Sequence, residues 1–283
     1  MSIPLVSVIG AVEDELMSEF VAHYTKIGVT DFFVGFHFPD HVTDQERSRT
    51  LETWQRLVGP PTIVSTGPWH EHLHGELRDR LRCEAGEGWH LIADSDEFHG
   101  YPHPLPDVVA AAEDSRHRIV KGVLLDRVSN NGALGMQNSE LGLDTRYPLA
   151  GFITAELTGG DPRKIVLAKS GVQLGLGSHY SPTDTVEDTC PVPVHHFKWR
   201  PPVLSDLRRR VEMHSKGAWS EVTSAIRDEA ARFLDHLGAH DGILNMQELG
   251  IQLRPASVDA VPAWWEAESR QYLAARKPAV MKP

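Results

Sequence analysis

The chain has 283 residues, a formal net charge of −11, 41% apolar and 24% charged residues. This length and apolar content fit one large domain or a domain with an appendage and exclude a disordered chain. The negative charge argues against a nucleic-acid surface, which needs clustered Lys and Arg.

The first two-thirds alternates short strand-like runs with helical patterns. Residues 4–10 read as a buried strand. Leu16, Phe20, Tyr24 and Ile27 then recur at helical spacing over 13–27, and Gly28 is a natural stop. The apolar run 3–11 has no basic region before it and is too short for a membrane span. A second strand is expected over 31–36, a helix over 43–58 ended by Pro60-Pro61, and a third strand over 62–65. A helix over 70–85 precedes a fourth strand, 89–93, that runs into Asp94. Strand–helix–strand order at this spacing predicts parallel pairing in an open α/β sheet. Ligands of such sheets bind beyond the carboxyl ends of the strands, which gathers Glu13, Asp40 and the segment 94–97 at one crevice.

The middle, 100–201, is richer in Pro and Gly, with strands expected at 118–125, 164–168 and 192–197. From about Val203 the pattern is helical, with amphipathic stretches around Leu204-Leu207-Val211, over 219–237 and over 264–274. Two units are therefore expected, 1–202 and a helical extension 203–283 packed on it, with a loose tail at 277–283. The only cysteines are Cys83 and Cys190, without Cys-x-x-Cys spacing. That fits a reducing, cytoplasmic setting rather than a zinc ribbon or a disulfide framework.

Asp94-Ser95-Asp96 closes the fourth strand. Two carboxylates two residues apart can aim at one hard cation, magnesium or manganese, which keeps open positions for diphosphate oxygens. The same dipeptide spacing also occurs in solvated turns and helix caps. Its position after a buried strand favours the metal reading.

The block Trp89-His-Leu-Ile-Ala-Asp-Ser-Asp-Glu-Phe98 resembles the Trp-(apolar)-Asp-x-Asp-Glu-Phe block of family 2-like glycosyltransferases, in the branch related to family 92. Glu13, Glu19-Phe20, His23 and Gly28 match the family's first landmarks, and Ala11-Val12 stand where it has Arg/Lys-Asn. Tyr101-Pro102, Asp126-Arg127-Val128, Tyr147-Pro148-Leu149, Lys164-Ile-Val and Gly177-Ser-His179 look like later landmarks. His195-His-Phe-Lys-Trp-Arg200 is similar to the segment after the last sheet strand. The resemblance spans roughly residues 3–210. It implies a GT-A fold with a mixed, mostly parallel sheet. It also implies a nucleotide-diphosphate sugar donor, a manganese or magnesium ion, a small-molecule or glycan acceptor hydroxyl, and inversion. It further implies a late histidine as metal ligand: His195 matches that position best and His196 is the alternative, while both also read as a buried pair holding the loop.

Other residues carry two readings each. Glu97 is a general base or an anchor of the turn. Asp144 and Glu140 are later acids able to serve as the base. Glu13 and Asp40 contact base or ribose, or are a helix first-turn acid and a turn residue. His179 lines the donor pocket or closes a turn. Lys198 and Arg200 meet diphosphate or lie on the surface. His70, His72 and His74 read as a solvated helix start, and Arg208-Arg-Arg210 as a solvated helix face. The expected activity is metal-dependent glycosyl transfer. The alternatives are nucleotidyl transfer or diphosphate cleavage on a similar sheet, and a catalytically silent carbohydrate-binding protein.

Overall fold

A computed structural model describes residues 2–134, 141–185, 191–219 and 224–276. Glu140, Cys190 and the tail 277–283 lie outside the described residues. In chain order the elements begin β1 (Leu5–Ile9), α1 (Asp14–Lys26), β2 (Phe32–Phe38), α2 (Asp44–Leu57), β3 (Ile63–Thr66), α3 (Glu71–Ala85) and β4 (Trp89–Ile92). They continue with β5 (Glu97–His99), α4 (Leu105–Asp114), β6 (Ile119–Val128), the short α5 (Leu143–Arg146), β7 (Leu149–Gly151) and a π-helical turn (Thr154–Thr158). The last are β8 (Arg163–Lys169), β9 (Val192–His196), α6 (Val203–Ser215), α7 (Ala225–Ala239), β10 (Arg254–Pro255) and α8 (Trp265–Ala274).

The fold is the expected mixed α/β sheet flanked by helices. The strand order is β10-β7-β6-β8-β4-β1-β2-β3, with β9 beside β6 and β5 beside β9. Strands β3, β2, β1 and β4 are mutually parallel, so their carboxyl ends share one edge of the sheet. Strand β8 runs antiparallel to both β4 and β6. Helix α1 forms because Leu16, Met17, Phe20, Val21 and Tyr24 repeat at helical spacing and all are buried. Each such large apolar side chain contributes about 1.5–3 kcal/mol when fully buried. Asp14 and Glu15 suit its first turn.

Two elements depart from the sequence reading. Glu97–His99 forms β5, a strand absent from the sequence reading, paired antiparallel with β9, and this pairing buries Glu97. Helix α4 was hidden in the Pro-rich middle; Pro106 sits in its first turn, where a missing N–H costs nothing, and Leu105, Val109 and Ala112 turn inward. After residue 202 the chain packs helices α6 and α7 around Trp199, which stacks on Phe233 with ring centroids 4.2 Å apart. It also returns to the sheet, where β10 pairs with β7. Among the described residues no helix is long and apolar enough to cross a membrane.

Gly122 is where β6 meets β8 on one side and β9 on the other. A Cβ there would lie 2.7 Å from both Val166 Cγ1 and Val194 Cγ2 and 2.9 Å from the Val192 carbonyl. Gly122→Ala is therefore expected to destabilise the protein by about 1–3 kcal/mol through overpacking. Urea unfolding with an unchanged slope checks it, and a neutral result would show that β9 can move off β6 at no cost.

Candidate active site

The carboxyl end of β4 carries Asp94 and, three residues on, the buried Glu97. Between them stands Lys164 of β8. Its Nζ donates to Asp94 Oδ2 at 3.0 Å and to the Gly177 carbonyl at 2.8 Å, and pairs with Glu97 Oε1 at 2.8 Å. Gly177 has φ +59°, a left-handed conformation that suits glycine, within the turn that delivers this carbonyl. The Asp94 N–H donates to Glu97 Oε2, and His74 Nε2 lies 3.3 Å from Asp94 Oδ1. Burial alone would raise Asp94, but Lys164 and His74 outweigh it and hold the carboxyl well below its ordinary range. Burial pushes Glu97 up to about 7, with Lys164 opposing and Asp94 adding to the rise. Burial works against the Lys164 ammonium, and the two carboxylates more than offset it.

Asp96 is left to different partners. His196 Nε2 lies 3.8 Å from its Oδ2, and Arg200 Nη1 lies 4.0 Å from the same atom. Arg200 also forks onto Glu13, with both contacts at 3.1 Å, tying the end of β1 to the end of β9. His196 is fixed from behind: its Nδ1 is 2.8 Å from Asp126 Oδ1. Asp126 in turn accepts from Trp199 Nε1, from the Thr154 N–H and from Thr154 Oγ1. A carboxylate behind an imidazole orients the ring and leaves its other nitrogen for a metal or a proton. Burial disfavours the His196 imidazolium, but Asp126 and Asp96 outweigh it and raise its pKa. Asp96 and His196 thus fit a divalent ion as two protein ligands of suitable type, with room for ligand oxygens. Among the described residues no third His, Cys, Asp or Glu joins them at ligand spacing. The triad that does cluster is His236, His240 and Glu248. There His236 Nε2 accepts the Asn245 N–H, while His240 contacts Glu248 and the His236 carbonyl. It is a helix-end ion pair.

Two cavities open at this edge. The first, about 490 Å³, is walled by the ends of β1 and β2, by Leu73, His74 and Leu77 of α3, and by Trp69 and Trp219. The second, about 330 Å³, holds Asp94, Asp96, Glu97, Lys164, His179 and His196. They share Ala11, Val12, Glu13, Pro202, Asp206 and Arg210 as a common rim.

Of the expected site residues, Glu13, Asp94, Asp96, Glu97, His179 and Lys198 line the second cavity. His179 Nδ1 donates to the Arg163 carbonyl, and burial pushes its pKa down to about 4. Lys198 lies over the Trp199 ring rather than out on the surface; burial, then Arg210, lower its pKa.

Four residues lie elsewhere than the sequence pattern suggested. His195 does not face Asp96, because neighbouring strand residues point to opposite sides. It pairs in register with Phe98, is fully buried, and accepts a hydrogen bond from Arg127 Nη1 at 3.2 Å through Nδ1. His196 is the member of the pair that faces Asp96. Asp144 is outside both cavities, held by Arg127 at 2.9 Å and by Ser257 Oγ and the Val258 N–H. Asp40 is exposed on the turn after β2 and lines neither cavity, although Pro39 and His41 line the first. Ser95 lines neither, since the spacing that turns Asp94 and Asp96 to the cavity leaves the residue between them out.

Sequence reasoning missed the positions of Lys164, Asp126, His74 and Arg210. The signal for Lys164 was a lysine at the head of an apolar strand, which needs a buried partner. His74 was read as solvated but reaches Asp94, and Arg210 was read as a solvated helix face but lines both cavities.

No family model matches the chain, and no curated protein matches it. Among solved structures, it is similar to S. aureus TarS 1-349 at 13% identity and TM-score 0.35, over 88% of this chain and 78% of that one. The same protein in complex with UDP aligns at 11% identity and TM-score 0.32, over 87% and 73%. A UDP-glucose pyrophosphorylase complexed with UDP-glucose aligns at 10% identity and TM-score 0.29, over 98% and 100%. Scores this low carry no argument about function, which rests on the site's own geometry.

Proposed function

We propose that the protein is a metal-dependent glycosyltransferase that moves a sugar from a nucleotide-diphosphate sugar to an acceptor hydroxyl. The observation that carries this reading is Asp96 facing His196, which is braced by Asp126, at the carboxyl edge of parallel strands where two cavities meet. The first cavity, with Trp69 and Trp219 rings 5.7 Å apart, suits a nucleoside. Asp96 and His196 would hold a manganese or magnesium ion. When bound, that ion offsets the charge gathering on the departing diphosphate. Arg210 at the rim and Arg200 in the second cavity add positive charge for the same oxygens. Lys164 pairs with both Asp94 and Glu97 and offsets part of their charge, so those two carboxylates repel the donor less. The sugar then points into the second cavity, toward the acceptor. The sequence resemblance supports inversion at the anomeric carbon.

The test is release of nucleoside diphosphate from a panel of nucleotide sugars, with manganese and with chelator. Metal-dependent release of diphosphate together with free or transferred sugar is expected. Turnover indifferent to chelator would overturn the metal assignment, and sugar 1-phosphate as product would move the enzyme to the pyrophosphorylase reading.

A further inference from the structure

The second cavity is lined largely by acids that already have partners. Glu13 is engaged by Arg200, and Asp94 and Glu97 by Lys164. Asp96 faces His196, Asp161 accepts from Arg163, and Asp206 pairs with Arg209. Among the described residues lining this cavity, Glu229 of α7 is the carboxylate with neither a hydrogen bond nor an ion pair. It is half-buried. Opposite it, Gly160 has no side chain to fill the space; a Cβ there would lie 3.2 Å from Glu229 Oε1. The groups nearest in charge are Lys198, Arg210 and Arg232. Burial raises the carboxyl's pKa against the pull of these cations.

Position gives this free carboxylate a direction. A donor with its nucleoside in the first cavity passes the shared rim at Glu13 and Arg210 and meets Asp96 and His196. Its sugar then enters the second cavity, which Glu229 lines while it does not line the first. We propose that Glu229 is the catalytic base for the acceptor. This rests on the glycosyltransferase reading above. The acceptor O–H proton passes to a Glu229 oxygen as the acceptor oxygen bonds to the anomeric carbon. The bond from that carbon to the phosphate oxygen breaks, and its electron pair leaves with the nucleoside diphosphate. The C-terminal helices then supply chemistry as well as a wall.

Glu229→Gln keeps the shape and removes the basic oxygen. UDP, GDP and dTDP with manganese measure nucleotide binding, and the donor that the wild type turns over measures the reaction with water as acceptor. The expected result is a nucleotide Kd within two-fold of wild type and diphosphate release slowed about 100-fold or more, the low end for a general base. Glu229→Asp should restore part of the rate. Release within three-fold of wild type would overturn the proposal, as would nucleotide affinity falling in step with the rate. If the wild type releases diphosphate from no donor, the glycosyltransferase reading fails first and the role of Glu229 falls with it.

Discussion

His196→Ala is expected to weaken manganese binding in the presence of nucleoside diphosphate by more than about 100-fold, whereas His195→Ala should leave it near wild type. Outer-shell partners of metal sites typically cost 10–100-fold when removed, so a direct ligand should exceed that range. Asp126→Asn should fall inside it, because Asp126 acts through the His196 ring. The neighbouring histidine fails differently. His195 is fully buried and its Nδ1 contacts Arg127, itself fully buried. Its removal leaves a cavity and takes a partner from a buried cation, costing about 2–4 kcal/mol of stability. Manganese titration and thermal unfolding of the three variants separate these outcomes. Loss of metal affinity in His195→Ala with His196→Ala near wild type would mean that β9 sits one residue out of the register seen here, exchanging the two faces.

The contrast shows what the sequence could and could not carry. Periodicity was enough for β1 through β4 and the helices between them, because each buries an apolar face whose spacing is written locally. It also placed Asp94 and Asp96 at a strand end. The choice between His195 and His196 depends on the pairing of β9 with β5, two segments about a hundred residues apart, and a one-residue step reverses it. Asp144 looked like a free loop acid because its captor, Arg127, is distant in sequence and buried. Glu229 was invisible for the opposite reason. It sits in an ordinary amphipathic helix, and only the packing of α7 over the π-helical turn brings it to the cavity.

Lys164→Met is expected to destabilise the protein by about 3–5 kcal/mol at neutral pH, as removal of one partner from a buried ion pair does. The variant keeps the stem volume and removes the charge. Glu97, 3% exposed, loses its cation; Asp94, 35% exposed, loses one too, but solvent screens its share. The pH dependence identifies the source. Glu97 has an ordinary value of 4.5 and is raised to about 7 in the folded protein. Between those values the native state holds a proton that the unfolded chain has released. Stability from this group is therefore full below about 4.5 and is lost as pH rises through about 7. Without Lys164 the folded value climbs further, because the main opposing cation is gone, and the loss continues above pH 7. The gap between wild type and variant should be present at pH 5, where Asp94 is already ionised, and should widen by pH 8. Denaturant unfolding at pH 5, 6.5 and 8 measures it. A gap that stayed constant across that range would place the cost in packing or in Asp94 alone, and Glu97 would not be the carboxylate that Lys164 restrains.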